Sequence, residues 1–64
     1  MGAIQRDGYT FDVEYSVSHQ NGAVHVYQDG KFIQELPFQF SGEKPNEDEI
    51  EQLVDRFFEM GTGL

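Results

Sequence analysis

The sequence predicts an α+β fold, in which a three-stranded antiparallel β-meander of order 1-2-3 carries one C-terminal α-helix on one face. Three observations lead to this prediction. Apolar and polar residues alternate from Tyr9 onward, glycine-containing turn sequences interrupt the alternation, and apolar residues near the C-terminus recur with the period of a helix. We assign all 64 residues to a single domain, because so short a chain has room for only one core.

The strands are predicted at about residues 9–19, 23–28 and 31–40. In the first strand every second residue from Tyr9 to Val17 is apolar or aromatic, which is typical of a half-buried strand. Pro37 cannot donate a hydrogen bond to a neighbour, so the third strand is placed at an edge. A short fourth strand before Asp7-Gly8 is an alternative that the predicted meander does not include.

The first turn is predicted at Asn21-Gly22, because this is the preferred residue pair for a two-residue type I′ hairpin. Such a turn pairs Val17 with Val26 and His19 with Val24. The apolar side chains of both strands then share one face.

The second turn is predicted to contain three residues, from Gln28 to Gly30, with Gly30 in a bulge. A two-residue loop at Asp29-Gly30 is rejected, because it would turn Phe32 away from the apolar face. The three-residue loop instead pairs Val26 with Phe32 and Val24 with Gln34. One face then carries all the large apolar strand residues, which are Phe11, Val13, Tyr15, Val17, Val24, Val26, Phe32, Leu36, Phe38 and Phe40.

The helix is predicted at about residues 47–60. Asn46 followed by Glu49 resembles a capping box, and Gly61 suits a helix end. The apolar face of the helix is formed by Ile50, Leu53, Val54, Phe57 and Phe58.

The predicted helix is too short to cover the whole sheet. It spans ~21 Å, whereas a ten-residue strand spans ~33 Å. Starting near Phe38 and Phe40, it would leave the end around Tyr9 and Phe11 open. We expect Met60, Leu64, Ile4 or a second subunit to shield that end.

Composition excludes several classes of function. Twelve acidic residues against four basic ones give a net charge of −8, so the chain lacks the basic surface that direct nucleic-acid binding needs. The absence of cysteine excludes disulfides, thiolate metal sites and thiol nucleophiles. No apolar run is long enough for a membrane span or a signal peptide, so we expect a cytoplasmic protein without membrane contact.

The two histidines are predicted to lie on opposite faces of the sheet. His19 faces the core side near Gln34, and His25 faces outward. His19 either closes the edge of the core as a partly exposed side chain or forms a small polar notch with Gln34. Side chains on opposite faces cannot share a metal ion, so no metal site is expected. Because no acid, serine or histidine is suitably placed for catalysis, we expect no enzyme activity and no cofactor.

Two surfaces remain as candidates for binding. A semi-apolar patch on the outer sheet face is formed by His25, Tyr27 and Ile33. An acidic stripe along the helix is formed by Asp48, Glu51, Asp55 and Glu59.

These surfaces indicate a small non-catalytic protein–protein interaction module. A homodimer is one form of it, and the two chains would then pair through an open edge strand or through the Tyr9/Phe11 end. The alternative is an acidic inhibitor that imitates nucleic acid and blocks a DNA- or RNA-binding protein. Over its whole length the chain resembles small uncharacterised cytoplasmic proteins of Gram-positive bacteria, a resemblance that implies no particular activity.

Overall fold

The computed structural model describes residues 3–61 and shows four strands followed by one helix. The α+β class, the antiparallel sheet and the C-terminal helix are confirmed, but the sheet has four strands rather than three, and they lie side by side in chain order. The added strand precedes Asp7-Gly8, at the position given above as the alternative for a fourth strand. The elements are β1 (Ile4–Arg6), β2 (Tyr9–Ser16), β3 (Asn21–Gln28), β4 (Lys31–Gln39), α1 (Glu47–Arg56) and a π-helical segment (Phe57–Gly61).

Both Asp-Gly pairs form two-residue hairpin turns. Asp7 and Gly8 have φ angles of 53° and 85°, and Asp29 and Gly30 have φ angles of 52° and 78°. Positive φ at both central positions is the signature of a type I′ turn, which matches the twist of the flanking strands. The three-residue loop predicted from Gln28 to Gly30 is therefore wrong.

A bulge in the ladder between β3 and β4 corrects the register that the short turn would otherwise impose. Tyr27 pairs with Phe32, but Val26 pairs with Gln34, so that Ile33 is the extra residue. Beyond the bulge, Val24 lies opposite Leu36. The sheet thus keeps its apolar face although the turn itself has only two residues.

Asn21-Gly22 is not a turn but the start of β3. A four-residue loop, residues 17–20, joins β2 to β3, and Phe11 rather than Val17 lies opposite Val26. In the predicted register residues 23–28 would face 15–20, leaving Phe11 and Val13 beyond the end of the neighbouring strand. The observed register pairs both residues with β3, which lengthens the ladder and buries them.

The core lies between the helix and one face of the sheet. It is formed by Phe11, Val13, Val24, Val26, Ile50, Val54 and Phe57. The predicted core face is correct for most residues, but Val17 is 49% exposed in the β2–β3 loop and Phe32 is 56% exposed on the opposite face. Tyr15 is 39% exposed and contacts Phe40 edge-on.

The helix begins where the sequence predicts. The Asn46 side chain accepts a hydrogen bond of 2.7 Å from the Asp48 amide, which caps the first turn. Regular α-helix ends at Arg56 rather than near residue 60, and the chain continues in the wider π conformation with Gly61 as its last residue.

Aromatic rings from the π-helical segment close the end of the sheet that was expected to be open. The Tyr9 ring lies 5.2 Å from Phe57 and 5.4 Å from Phe58, centroid to centroid, and Phe11 is fully buried. β2 has eight residues and is shorter than predicted, so the helix reaches its end. Of the expected shields, Ile4 packs partly against the core, Met60 is 67% exposed, and Leu64 lies outside the described residues.

An ion pair attaches β1 to the helix. Arg6 donates a hydrogen bond of 2.6 Å to the Asp55 carboxylate, and its guanidinium lies 5.0 Å from the centre of the Phe58 ring. Within residues 3–61, none of the helical structure is long and apolar enough to cross a membrane.

Candidate functional site

The sheet face opposite the helix carries a group of aromatic side chains, of which Phe32 is exposed and His25 and Tyr27 are partly buried. The Phe32 ring contacts His25 at 5.9 Å and Tyr27 at 5.8 Å between ring centres, both in edge-to-face geometry. Ile33 follows in the bulge and is 45% exposed. We call His25, Tyr27, Phe32 and Ile33 the outer patch.

The register gives the predicted patch residues different neighbours from those expected. His25 was expected between Ser18 and Ile33, but it lies between Asp12 and Glu35. The shift follows from the position of the β2–β3 loop at residues 17–20 instead of 21–22, which moves β2 along β3 by six residues without changing its faces. His25 and Tyr27 therefore stay on the outer face as predicted.

Phe32 is the patch residue that sequence reasoning placed wrongly. Its alternation with the apolar residues of β4 suggested the core, whereas the two-residue turn pairs it with Tyr27 on the outer face. The preference of Asp-Gly for a type I′ turn was the signal that would have found it.

Two carboxylates flank the imidazole of His25. Its Nδ1 lies 3.8 Å from Glu14 Oε2, and its Nε2 lies 3.5 Å from Glu35 Oε2. Both carboxylates are more than half exposed, whereas the His25 side chain is only 23% exposed. Next to them the small side chain of Ala23 leaves an open recess of about 530 Å³. The outer patch thus combines exposed aromatic rings with an anionic border.

His19 does not form the predicted notch with Gln34. It lies exposed in the β2–β3 loop, where its Nδ1 is 3.0 Å from Ser16 Oγ and 3.3 Å from Ser18 Oγ. Gln34 instead faces Val26 in the sheet. These local contacts stabilise the loop. Among residues 3–61, no carboxylate forms an ion pair with His19 that would orient it as a base.

Residues 3–61 contain no group of three or more histidine or carboxylate side chains arranged to hold a metal ion. In the same part of the chain, every buried side-chain nitrogen or oxygen has a hydrogen-bond partner. An unpaired buried polar group would have pointed to a hidden ligand site.

The acidic stripe runs along α1 into the π-helical segment and is exposed along its length, but Arg6 occupies part of it. Because Asp55 accepts a hydrogen bond from Arg6 and attracts its charge, the pKa of the Arg6 guanidinium is raised above its usual value. Glu51 contributes further attraction. Asp55 is therefore engaged within the fold, and the remaining stripe residues are Asp48, Glu51 and Glu59.

A second recess, of about 1030 Å³, opens at the start of the helix beside His19 and Lys44. A helix N-terminus attracts anions in general. Here the first turn already carries Glu47, Asp48 and Glu49, whose negative charge opposes an anionic ligand. This recess therefore has mixed charge and no clear ligand preference.

Nearly the whole chain matches a known protein family. The profile of a family of unknown function, DUF5370, matches residues 1–62. The chain belongs to the DUF5370 family. This DUF5370 protein is similar to the uncharacterized protein YbxH of Bacillus subtilis (strain 168), with 56% identity over 57 residues that cover 89% of this chain and 90% of the relative. No solved structure matches this chain. The predicted resemblance to small uncharacterised proteins of Gram-positive bacteria is thus confirmed.

Proposed function

We propose that this DUF5370 protein is a small non-catalytic interaction module that binds another protein through the outer patch. The observation that carries the proposal is the exposure of Phe32, at 56%, beside Ile33, at 45%, on a face that the helix does not cover. Exposed aromatic rings with a polar border are typical of protein-binding surfaces.

The exposure of the outer patch is not the consequence of an incomplete core. Phe11, Val24 and Val26 are fully buried under the helix on the other face of the sheet. The fold therefore has no need of Phe32 or Ile33 for its own packing. A solvent-exposed phenylalanine with no packing role in the fold is a candidate contact residue.

Self-association is the second form of this proposal. Its expected route through the Tyr9/Phe11 end is contradicted, because the aromatic rings of the helix close that end. An edge route remains along residues 12–16 of β2, which β1 does not pair. We place the module in the cytoplasm, in keeping with a chain that contains no cysteine.

The test compares three immobilised proteins as bait in a cell extract. They are the parent, a Tyr27→Thr/Phe32→Thr variant, and a Val17→Thr control that changes an exposed residue outside the patch. We expect a protein retained by the parent and the control but not by the double variant, and we expect purified samples to reproduce that binding. Circular dichroism checks that all three baits are folded.

Three results would contradict binding through the outer patch. Equal retention by the double variant would show that the surface lies elsewhere. Retention only of nucleic-acid-binding proteins, released by moderate salt, would favour the nucleic-acid mimic. A dimer in light scattering that survives both patch substitutions would favour pairing along the β2 edge.

A further inference from the structure

We infer that the partner of the outer patch presents an arginine or lysine beside an apolar side chain, and that it is not a second copy of this chain. This inference rests on the proposed function. It follows from the acidic residues that border the aromatic rings rather than from the rings themselves. Asp12, Glu14 and Glu35 all belong to the outer face around His25.

The outer patch offers a basic segment two adjoining contacts. Phe32 and Tyr27 supply apolar ring surface, and the recess above Ala23 gives access to the carboxylates of Glu14 and Glu35. A long cationic side chain can lay its methylene groups on apolar surface while its charged end reaches a carboxylate. Arginine fits such a surface well, because it also stacks on aromatic rings.

A second copy is a poor occupant of this surface. Two outer patches placed face to face would bring Glu14 and Glu35 of one chain close to the same residues of the other. Each chain also has a net charge of −8. Like charges brought together oppose association, whereas a basic partner is attracted over a distance.

The probe is a capped hexapeptide in which two arginines flank two leucines, titrated into the labelled 64-residue chain and followed by amide chemical shifts. Matched peptides carry glutamine or glutamate in place of arginine. We expect the arginine peptide to shift amides of the outer patch and of Glu35. The glutamine peptide should bind more weakly, and the glutamate peptide should cause no shift.

Charge-matched variants test whether the site or only the net charge attracts the peptide. Each lost carboxylate at the patch should weaken binding about two- to fivefold. We therefore expect a larger loss for Glu14→Gln/Glu35→Gln than for the control Glu51→Gln/Glu59→Gln, which makes the same charge change on the helix. Equal losses in both variants would overturn the inference.

The outcomes separate this inference from the proposed function. If the glutamine peptide binds the outer patch as tightly as the arginine peptide, the inference falls and the interaction surface stands. If the arginine peptide shifts no amide of the outer patch, the inference also falls. The capture experiment with the Tyr27→Thr/Phe32→Thr bait then still decides whether the patch binds a natural protein.

Discussion

The side-chain amide of Gln20 joins two loops of the protein by bonding to both backbone groups of Gly42. Its Nε2 donates to the Gly42 carbonyl and its Oε1 accepts from the Gly42 amide, each at 2.9 Å. Nε2 also donates to the Val17 carbonyl at 2.8 Å, and the Phe40 amide donates to the Gln20 carbonyl at 3.1 Å. One residue thus holds the β2–β3 loop in shape and attaches it to the segment that follows β4.

Gln20→Ala should lower the free energy of unfolding by about 1–3 kcal/mol, because it removes three hydrogen bonds that each contribute about 0.5–1.5 kcal/mol and that water replaces in part. That is a large share of the roughly 3–5 kcal/mol expected for so small a domain. Chemical denaturation measures the change. Gln52→Ala, which removes the same side chain from an exposed position of the helix, should alter the stability by less than about 0.5 kcal/mol.

The role of Gln20 explains why the sequence predicted the strands better than their register. Alternation places Phe11, Val13, Val24 and Val26 on one face in both the predicted and the observed register, because the two differ by an even number of residues. Turn preference placed the β2–β3 turn at Asn21-Gly22. The hydrogen bonds between Gln20 and Gly42, 22 residues away, instead favour a loop at residues 17–20. A long-range contact of this kind leaves no local pattern.

The candidate site was predictable in part for the same reason. His25 and Tyr27 are found outside as predicted, since alternation alone decides their face. Phe32 was assigned to the core because a two-residue turn at Asp29-Gly30 was rejected. The bulge at Ile33, which reconciles that turn with the apolar face of β4, has no residue signature here.

Phe32→Ala and Phe57→Ala make the same chemical change on opposite faces of the sheet. Phe57 is 5% exposed in the core, so its loss should cost about 3–5 kcal/mol and leave little folded protein. Phe32 loses mainly its ring contacts with Tyr27 and His25, so about 0.5–1.5 kcal/mol is expected. Thermal denaturation of both variants shows the difference. Comparable destabilisation would mean that Phe32 belongs to the core after all.

Arg6→Gln should loosen β1 without unfolding the sheet. The substitution removes the ion pair with Asp55 and the contact with the Phe58 ring, which attach this short edge strand to the helix. We expect the β1 amides to exchange with solvent faster, while Val24 and Val26 in the central strand stay protected. Arg56→Gln, the same change within the helix, is the control and should leave the β1 exchange rates unchanged. Slow β1 exchange in Arg6→Gln would show that the strand pairing holds alone.

Gly22→Asn and Gly30→Asn distinguish a strand glycine from a turn glycine. A side chain at Gly22 would collide with the Glu14 carbonyl oxygen and would place its Cβ 2.7 Å from Tyr15 Cβ and 2.8 Å from the Phe38 ring. Because the Glu14 oxygen and the Tyr15 Cβ are fixed by the backbone of β2 and cannot move aside, we expect a loss of about 1–3 kcal/mol or more in the free energy of unfolding. Gly30 has a φ of 78° with open space around it, a conformation that asparagine tolerates, so its substitution should cost less than about 1 kcal/mol. Urea denaturation of the two variants measures both costs. The opposite order, with Gly22→Asn tolerated, would restore the turn at Asn21-Gly22 and with it the register in which Val17 faces Val26.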